Sequence, residues 1–480
     1  MRKVYTEIVA EGLSHKLVST TEDCEMPGPS SNSGDAGLLS RRELAASERL
    51  EIRAYRLLTR WARPAAPLLL HLRARNGKED PSRRGERLGQ ASQQRPSGPL
   101  VWVHAASVGE TSAVLPLIAG LAAIRPDVGI LLTTGTVTSA KFAAVRLGAT
   151  TTHQYVPLDS PAFVANFLEH WQPSLAVFTE QEIWPNLVLE AHARGIPLAL
   201  VNARMSDTSF ERWQRRAGLA EALFSRFTVV LAQNKVLAAR FGQLGAVRAL
   251  AVGNLKIDAP PPPVDALAFA ALQAALDERP RAMAASTHET EEVAVARAHL
   301  VLKARYPRLV TLLAPRHPDR GEAIAQAVAD MGLTVTRRSL GALPAPDTDI
   351  YLADTIGELG TLYALAPVAF LGGSLIPHGG QNPIEAVRHG AVVVTGPSAY
   401  NFADVYDALA DGGGVVRIDG PDGLAAAFDG LLADPALVDA MRGRATRALA
   451  TLSGALALTV ETLLPYLPED PLRTSVGVRP

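Results

Sequence analysis

The sequence is poor in the residue types that carry several common chemistries. Only one of its 480 residues is a cysteine, Cys24, which argues against disulfides, a cysteine-ligated zinc cluster and a thiol nucleophile. The eleven histidines are scattered and not spaced as ligand pairs, so no metal site and no other cofactor is expected. A net charge of −1 argues against general nucleic-acid binding. Residues 1–49 lack the apolar stretch of a signal peptide and are rich in Ser, Gly, Glu and Asp, which predicts a disordered extension and a cytosolic setting.

The segment that follows, residues 50–78, is basic and amphipathic. Arginines recur in it at helical spacing, and apolar residues recur beside them. These are Arg53, Arg56, Arg60 and Arg63, with Ala54, Leu57, Leu58 and Trp61 alongside. No run in this segment is long and uncharged enough to span a bilayer. Two interpretations stay open: a helix at a membrane surface, which such residues suit, or a solvated helix packed on its own domain.

From residue 99 onwards, short apolar runs alternate with stretches long enough for helices. This alternation predicts parallel sheets covered by helices on both faces, and therefore an α/β fold. The predicted strands are residues 100–104, 128–133, 175–179, 197–201 and 228–232, then 281–285, 309–314, 333–336, 350–353, 368–371, 392–395 and 414–418.

A run of four prolines, from Pro260 to Pro263, interrupts this pattern and predicts a stiff connector over residues 259–264. The chain is then divided into two open α/β domains, residues 79–258 and 265–455. Residues 456–480 form a last helix and tail that either stay on the second domain or cross back to the first. Two open sheets joined by a short linker leave a cleft between their carboxyl edges, where small ligands bind.

The most informative stretch is a glycine-rich loop between a strand and a helix in the second half. An apolar run enters Gly372-Gly373, crosses Gly379-Gly380 and opens a helix at Asn382. Glycines allow a ligand to approach the backbone, and a helix start offers unpaired N–H groups. Such a loop is typical of sites that hold a phosphate or a sugar nucleotide.

Four strand ends lead into helices with related first turns. They are Ser107-Val-Gly-Glu110, Ser286-Thr-His-Glu289, Thr355-Ile-Gly-Glu358 and Asn382-Pro-Ile-Glu385. Each pairs a capping residue with a glutamate three positions later, so each glutamate taken alone fits a capping box equally well. Four such helix starts around one cleft are more than stability requires, which favours a ligand site.

Glu110 is the candidate catalytic base, because it follows the first strand among small residues that leave room for a substrate. A carboxylate there can take a proton from an attacking hydroxyl. The residues nearby in the first domain that could contact the molecule carrying this hydroxyl, the acceptor substrate, are Ser107, Gly109, Glu180, Glu182 and Arg204. The residues that could contact the sugar nucleotide, the donor substrate, are Lys256, Ser286 and His317.

Arg316 follows a predicted strand of the second domain and supplies a forked, permanently charged partner for a phosphate. His317 beside it can bind a ligand or orient the loop, and a structural role is the simpler interpretation. Lys256 can neutralise a leaving phosphate, or pair with Asp258 at the hinge.

Taken together and in order, these motifs resemble those of the 3-deoxy-D-manno-octulosonic acid (Kdo) transferases of lipopolysaccharide assembly, from about residue 55 to 467. The motifs are His104-Ala-Ala-Ser-Val-Gly-Glu110, Glu182-Ile-Trp-Pro-Asn186, Asn202-Ala-Arg-Met-Ser206, Gly253-Asn-Leu-Lys256, Ser286-Thr-His-Glu289, Pro315-Arg-His-Pro318, Gly357-Glu-Leu359 and Gly379-Gly-Gln-Asn-Pro-Ile-Glu385.

The resemblance implies a GT-B glycosyltransferase, with two Rossmann-like domains facing across a cleft. It implies transfer of Kdo from CMP-Kdo to a lipid A precursor (lipid IVA), with inversion, without a metal, and with Glu110 as general base. It also implies a peripheral or N-terminally anchored enzyme on the cytoplasmic face of the bacterial inner membrane. The implied CMP contacts are Pro315, Arg316, Ile356, Gly357, Glu358, Asn382, Pro383, Ile384 and Glu385.

Two other functions are compatible with parts of the pattern. One is another sugar-nucleotide enzyme of the same architecture, such as a UDP-sugar transferase or epimerase. The other is a non-catalytic two-lobed binding protein. Such binders are usually exported, and a complete Glu110 motif has little purpose in them.

Overall fold

The computed structural model describes residues 41–148 and 151–469, with side chains from residue 50 onwards. The chain forms two compact units, one comprising Met1–Ala259 with Ser453–Pro480 and the other Pro260–Leu452. The division falls at the proline run. Of the predicted disordered extension, residues 1–40 lie outside the described residues. The end proposed for it at residue 49 is wrong, because a helix already begins at Arg41.

The first unit contains a seven-stranded parallel sheet in the order β3-β2-β1-β4-β5-β6-β7. Its strands are β1 (Leu100–His104), β2 (Gly129–Thr134), β3 (Thr151–Tyr155), β4 (Leu175–Thr179), β5 (Leu198–Ala203), β6 (Val229–Ala232) and β7 (Ala249–Ala251). The sequence did not predict β3 and β7. Both are edge strands; β3 is mostly polar and β7 has three residues, so neither produces a continuous apolar run.

Helices cover both faces of this sheet. They are α1 (Arg41–Trp61), α2 (Ala66–Arg75), α3 (Arg84–Arg87), α4 (Val108–Ile124), α5 (Val137–Ala144), α6 (Pro161–Trp171), α7 (Pro185–Ala193), α8 (Asp207–Gln214), α9 (Ala217–Phe224), α10 (Lys235–Gln243) and α11 (Leu255–Asp258). Along β1, Leu100 and Trp102 pack into one hydrophobic cluster while Val101 and Val103 pack into another. The near-continuous apolar strands therefore reflect a sheet buried on both sides.

Helix α20 (Ala455–Leu463), near the end of the chain, belongs to the first unit. The carboxylate of Asp258 accepts hydrogen bonds from the backbone N–H groups of Gly454 and Leu456. Val460 and Leu463 pack in a core cluster of the first sheet. By length and composition the stretch Pro435–Tyr466 would suffice to cross a membrane, but it consists of separate helices whose apolar residues are partly buried in the protein.

Helix α1 is fastened to the first unit by polar contacts along one side. The hydroxyl of Tyr55 donates to Asp159 Oδ2 at 2.8 Å, and Arg56 pairs with Glu190 at 2.6 Å. Burial is the first cause that raises the pKa of Tyr55, with the charge of Asp159 second. Large apolar residues on α1 and α2 remain exposed: Leu57, Leu58, Trp61, Leu68, Leu69 and Leu72.

The second unit contains another seven-stranded parallel sheet, in the order β10-β11-β9-β8-β12-β13-β14. Its strands are β8 (Arg281–Thr287), β9 (Val310–Pro315), β10 (Val335–Arg337), β11 (Ile350–Leu352), β12 (Val368–Leu371), β13 (Val392–Thr395) and β14 (Val415–Arg417). Its helices are α12 (Ala266–Leu276), α13 (Glu291–Lys303), α14 (Gly321–Ala329), α15 (Leu359–Leu365), α16 (Pro383–Arg388), α17 (Ala403–Asp411), α18 (Gly423–Ala433) and α19 (Pro435–Leu452). The predicted α/β fold with two Rossmann-like units is confirmed.

One buried carboxylate organises the loops of the second unit. The side chain of Glu291, 1 % exposed, accepts a hydrogen bond from the backbone N–H of His288 at 2.9 Å. It also accepts from Gly373, Ser374 and Leu375 at 2.7, 3.1 and 3.0 Å. The loop after β8 is thereby joined to the glycine loop after β12. The predicted capping role of Glu289 is not seen, since α13 begins at Glu291 and Thr290 is its N-cap.

The contact between these loops requires a glycine at position 372. A Cβ atom there would lie 2.5 Å from the carbonyl oxygen of Ser286 and 2.5 Å from Thr287 Cα. Gly372 therefore serves close approach of two backbones, and the carboxylate of Glu291 holds that approach in place.

Replacing Glu291 with alanine is expected to destabilise the second unit strongly. The change leaves four backbone N–H groups without their acceptor, and a buried unsatisfied donor costs about 1–3 kcal/mol. The urea midpoint of unfolding, followed by circular dichroism, is expected to fall. Glu289→Ala is the matched control, because that side chain lies exposed two residues away. Equal midpoints for the two variants would contradict the role given to Glu291.

Candidate active site

In the first unit, three carboxylates follow the two strands at which the order of the sheet reverses. Glu110 follows β1, and Glu180 and Glu182 follow the neighbouring strand β4. The loops after these strands lead to helices on opposite faces, so a crevice opens between them at the carboxyl edge. Ligands of open α/β sheets bind at such a place.

Glu110 lies in the first turn of α4, held by its own helix start. The hydroxyl of Ser107 donates to Glu110 Oε1 at 2.7 Å, and the backbone N–H of Ala106 donates to Oε2 at 2.9 Å. Ser107 also accepts from the N–H of Glu110 at 3.3 Å. The capping-box interpretation is therefore correct in part, although the carboxylate bonds to the N–H of Ala106 and not to that of Ser107.

The same carboxyl group is poised to exchange a proton near neutral pH. Glu110 is 8 % exposed, and burial raises its pKa from an ordinary value of 4.5 to about 7. Its hydrogen bonds to Ser107 and Ala106 oppose that shift, while the negative charges of Glu182 and Glu180 add to it. A carboxyl group with such a pKa can act as a general base under physiological conditions.

Open space lies beside the candidate base. Ser107 and Gly109 are exposed, and a Cβ atom built on Gly109 would have only Ser107 Oγ within reach, at 4.0 Å. The small residues chosen as candidate acceptor contacts thus border Glu110 without filling the surface next to it.

Glu180 and Lys256 form an ion pair in the same unit. Lys256 Nζ lies 2.6 Å from Glu180 Oε1, so the alternative partner suggested by the sequence, Asp258, is not the one it takes. Glu180 has a φ of +56° and Asn202 one of +51°, both in the left-handed region. Asn202 fixes the lysine loop by accepting from the N–H of Leu255 at 3.0 Å. Strained backbone of this kind clusters at functional sites.

Two further residues of the predicted motifs, Trp184 and Arg204, lie on the surface near these loops. Trp184 donates from Nε1 to Glu182 Oε2 at 2.9 Å and is exposed, so it is not a core residue. Arg204 follows β5 and is partly exposed. Its guanidinium makes no hydrogen bond or ion pair with the described residues, which leaves it available to an anionic ligand.

In the second unit, the predicted donor residues follow four adjacent strands. Pro315 ends β9, Arg316 comes directly after it, and Ser286 lies near the end of β8 with a φ of +53°. The segment 356–358 follows β11, and Asn382 caps α16 after β12. Because parallel strands end at one edge, these residues share the carboxyl edge of the second sheet.

Arg316 and Ile356 are both exposed at this edge, Ile356 by 88 %. The guanidinium of Arg316 has no partner among the described residues and can receive a phosphate. Gly357, with a φ of +93°, makes the turn after Ile356.

Two of the donor-loop glutamates are already engaged. Arg338 Nη2 lies 2.7 Å from Glu358 Oε1, and this hydrogen bond is the first cause that lowers the pKa of Glu358. Asn382 accepts from the N–H of Ile384 and donates to Glu385 Oε1 at 3.1 Å. Burial raises the pKa of Glu385. Pro383 and Ile384 are buried in the first turn of α16.

Sequence reasoning missed several residues of this edge. Glu291 has a signal only in hindsight, as one of three acidic residues within five positions after β8. His288 follows β8 and His378 follows β12, and these two strands are neighbours in the sheet. The two histidines are 90 residues apart in the sequence, so their spacing did not indicate that they meet. Among the described residues, no group of three or more His, Cys, Asp or Glu side chains could hold a metal ion.

Comparisons with known proteins place this chain in a family. The sequence profile described as 3-Deoxy-D-manno-octulosonic-acid transferase (kdotransferase) matches residues 82–259. The 3-deoxy-D-manno-octulosonic acid transferase of Bordetella pertussis is 37 % identical over 396 residues, covering 79 % of this chain and 91 % of that protein. The one of Haemophilus influenzae is 33 % identical over 387 residues, covering 79 % and 89 %.

Solved structures agree on the fold. A glycosyltransferase from Rickettsia africae gives a TM-score of 0.53 at 10 % identity, covering 77 % of this chain and 98 % of that one. A UDP-GlcNAc 2-epimerase from Neisseria meningitidis gives 0.52 at 14 % identity, covering 77 % and 100 %. Sequence identities of 10–14 % to these structures show only that the fold is shared. The family follows from the relatives that are 33–37 % identical in sequence. The resemblance seen in the motifs is thus confirmed: the chain belongs to the 3-deoxy-D-manno-octulosonic acid (Kdo) transferase family, glycosyltransferases of GT-B fold that act in lipopolysaccharide biosynthesis.

Proposed function

We propose that this enzyme transfers Kdo from CMP-Kdo to a lipid A precursor (lipid IVA), with inversion and with Glu110 as the general base. The observation that carries the proposal is the position of Glu110 at the reversal point of the first sheet, with its pKa raised to about 7 mainly by burial. No metal or other cofactor has a part in the proposed reaction.

In this proposal the acceptor binds to the first unit. A sugar hydroxyl of the acceptor gives its proton to Glu110 while its oxygen attacks the anomeric carbon of Kdo. The bond from that carbon to the phosphate oxygen breaks, its electron pair stays on the phosphate, and CMP leaves. One displacement inverts the anomeric centre. General bases of this kind contribute about 10²–10⁴-fold to rate.

The donor is assigned to the second unit. The exposed guanidinium of Arg316 offsets phosphate charge, and the loop at residues 356–358 and the start of α16 border the same sheet edge. CMP carries a single phosphate, so an arginine and backbone N–H groups can balance its leaving charge. Lys256, Ser286 and His317 remain proposed donor contacts, and Ser107, Gly109, Glu180, Glu182 and Arg204 proposed acceptor contacts.

The proposed acceptor is a lipid, and the N-terminal helices suit contact with a membrane. Leu58, Trp61 and Leu68 are 68, 76 and 62 % exposed, and arginines lie among them. The opposite side of α1 is fastened to the protein through Tyr55 and Arg56. This arrangement supports peripheral attachment to a membrane surface rather than insertion. The proposed surface is the cytoplasmic face of the inner membrane.

The direct test is incubation of the enzyme with a tetraacylated lipid A precursor and CMP-Kdo generated in situ, with product masses read by mass spectrometry. The proposal expects products heavier than the acceptor by whole Kdo units. Transfer from a UDP-sugar in place of CMP-Kdo would contradict the assigned donor.

Glu110→Gln is expected to remove nearly all transfer and to leave the fold intact. The amide can accept from Ala106 and donate to Ser107, so both hydrogen bonds survive while the base is lost. Because the folded protein holds the proton of Glu110 more tightly than the unfolded chain does, the wild-type free energy of unfolding decreases as pH rises from about 4.5 to about 7. At pH 8 the uncharged glutamine variant should therefore be at least as stable as the wild type. Initial rates and thermal unfolding check this, with the exposed Glu169→Gln as control. Near-normal turnover would rule out Glu110 as the base.

The activity is expected to fall as pH decreases, giving an acidic limb with a midpoint around pH 7, because only the ionised form of Glu110 accepts a proton. Glu182→Gln removes a charge that raises the pKa of Glu110, so the midpoint of that limb should move to lower pH. The measurement is kcat/KM against pH from 5 to 9, compared with Glu169→Gln. A limb that stays in place in Glu182→Gln would show that these carboxylates are not coupled.

Removing exposed apolar side chains from the N-terminal helices is expected to weaken membrane attachment. Leu58→Ser with Trp61→Ser deletes two of the most exposed ones, and each buried large apolar side chain contributes about 1.5–3 kcal/mol. Co-sedimentation with anionic phospholipid vesicles measures the loss. Val236→Ser with Val247→Ser, exposed elsewhere on the unit, is the control. Equal binding by both double variants would reject the assigned surface.

A further inference from the structure

Three histidines from separate loops meet at the reversal point of the second sheet. His288 follows β8, His317 follows β9 and His378 lies in the loop after β12, and β8 and β12 are the neighbours at which the strand order reverses. The ring centre of His288 lies 4.3 Å from that of His378 and 5.9 Å from that of His317. No spacing along the chain indicates this cluster, because its members lie on three loops that are neighbours only in the folded sheet.

The cluster is built rather than incidental. Gln381 Nε2 lies 3.1 Å from His288 Nε2, which fixes one ring in the middle. Gly373, with a φ of +66°, lies directly under the cluster, since a Cβ there would be 3.1 Å from His378 Cδ2 and 3.5 Å from His288 Cδ2. Glu291 holds both loops through their backbone N–H groups. His317 and His378 are exposed, so a ligand can reach the rings.

The charged groups that act on His288 are cationic, and both carboxylates at the start of α13 already have partners. Glu289 and Asp319, on the same loops as His288 and His317, are exposed to solvent. Burial lowers the pKa of His288 to about 4, and His378, His317, Arg316 and Arg320 lower it further. Of the carboxylates on α13, Glu291 is occupied by backbone N–H groups and Glu292 by Arg320 at 2.9 Å. Near neutral pH the uncharged imidazole of His288 therefore lies near the permanent positive charges of Arg316 and Arg320, which favour a negative ligand.

We propose that His288, His317 and His378 form a subsite for an oxyanion of the donor, and that binding of this anion brings a proton onto the cluster. The proposal rests on the proposed function, in which the donor carries both a phosphate and a sugar carboxylate. Either group could supply the oxyanion. The imidazolium so formed donates an N–H bond to it, and such charge-assisted bonds are the stronger kind. When the anion leaves, the imidazolium returns its proton to solvent and the cluster is uncharged again.

Isothermal titration calorimetry of the full chain at pH 8, in two buffers of different ionisation enthalpy, measures the proton uptake. CMP presents the phosphate, free Kdo presents the sugar carboxylate, and cytidine presents neither. The expected result is net proton uptake with CMP, with Kdo or with both, and none with cytidine. The arm that shows uptake identifies the group bound.

The variants His288→Gln and His378→Gln are expected to lose that uptake and to weaken the same ligand about tenfold or more, as for a lost bond to a charged group. His378 is exposed, so its replacement should not affect folding, which thermal unfolding checks. Arg316→Ala should weaken CMP while keeping proton uptake. His192→Gln, an exposed histidine of the first unit, is the matched control.

This inference would be overturned if CMP binds but neither CMP nor Kdo causes proton uptake, and both histidine variants keep the wild-type affinity. That outcome would leave the proposed function in place. Absence of CMP binding together with absence of transfer would instead count against the proposed function.

Discussion

The number of donors around a buried carboxylate decides what that carboxylate does in each unit. Glu110 and Glu291 occupy corresponding places, each in the first turn of the helix that follows the first strand of its sheet. Glu110 receives one N–H and one hydroxyl, which do not offset the loss of water, so its carboxyl group can hold a proton near neutrality. Glu291 receives four N–H groups and acts as a structural tie between loops. Corresponding positions thus carry the proposed general base in the first unit and a structural tie in the second.

The fold was predictable wherever a strand was buried on both faces. Strands β1, β4, β12 and β13 have the predicted bounds because each is a continuous apolar run. The edge strands β3 and β7 escaped prediction, since an edge strand needs fewer apolar residues. The helical spacing of residues 50–61 was recognised, but the first part of α1, residues 41–49, was missed. These nine residues are mostly charged and small, a composition that sequence reasoning took for disorder.

The site was predictable to the extent that it lies in local motifs. Glu110 with Ser107, and Asn382 with Glu385, make contacts within three residues of each other, so their spacing was informative. The ion pair of Glu180 with Lys256 joins residues 76 apart, and the histidine cluster joins three loops. Such contacts depend on which strands are neighbours, and strand order leaves no mark on the spacing of residues along the chain.

The fastening of α1 also bears on how the enzyme would meet a substrate confined to two dimensions. Asp159, in the loop after β3, accepts a hydrogen bond from the hydroxyl of Tyr55. Asn186, in the first turn of the helix after β4, donates a hydrogen bond to the hydroxyl of Thr59. Both loops lie at the edge that carries Glu110. With α1 resting on a bilayer, as the proposed function has it, this edge would be held at a fixed height and tilt above the lipid headgroups. Turnover would then follow the surface density of the acceptor rather than its bulk concentration, and dilution with inert lipid would slow it.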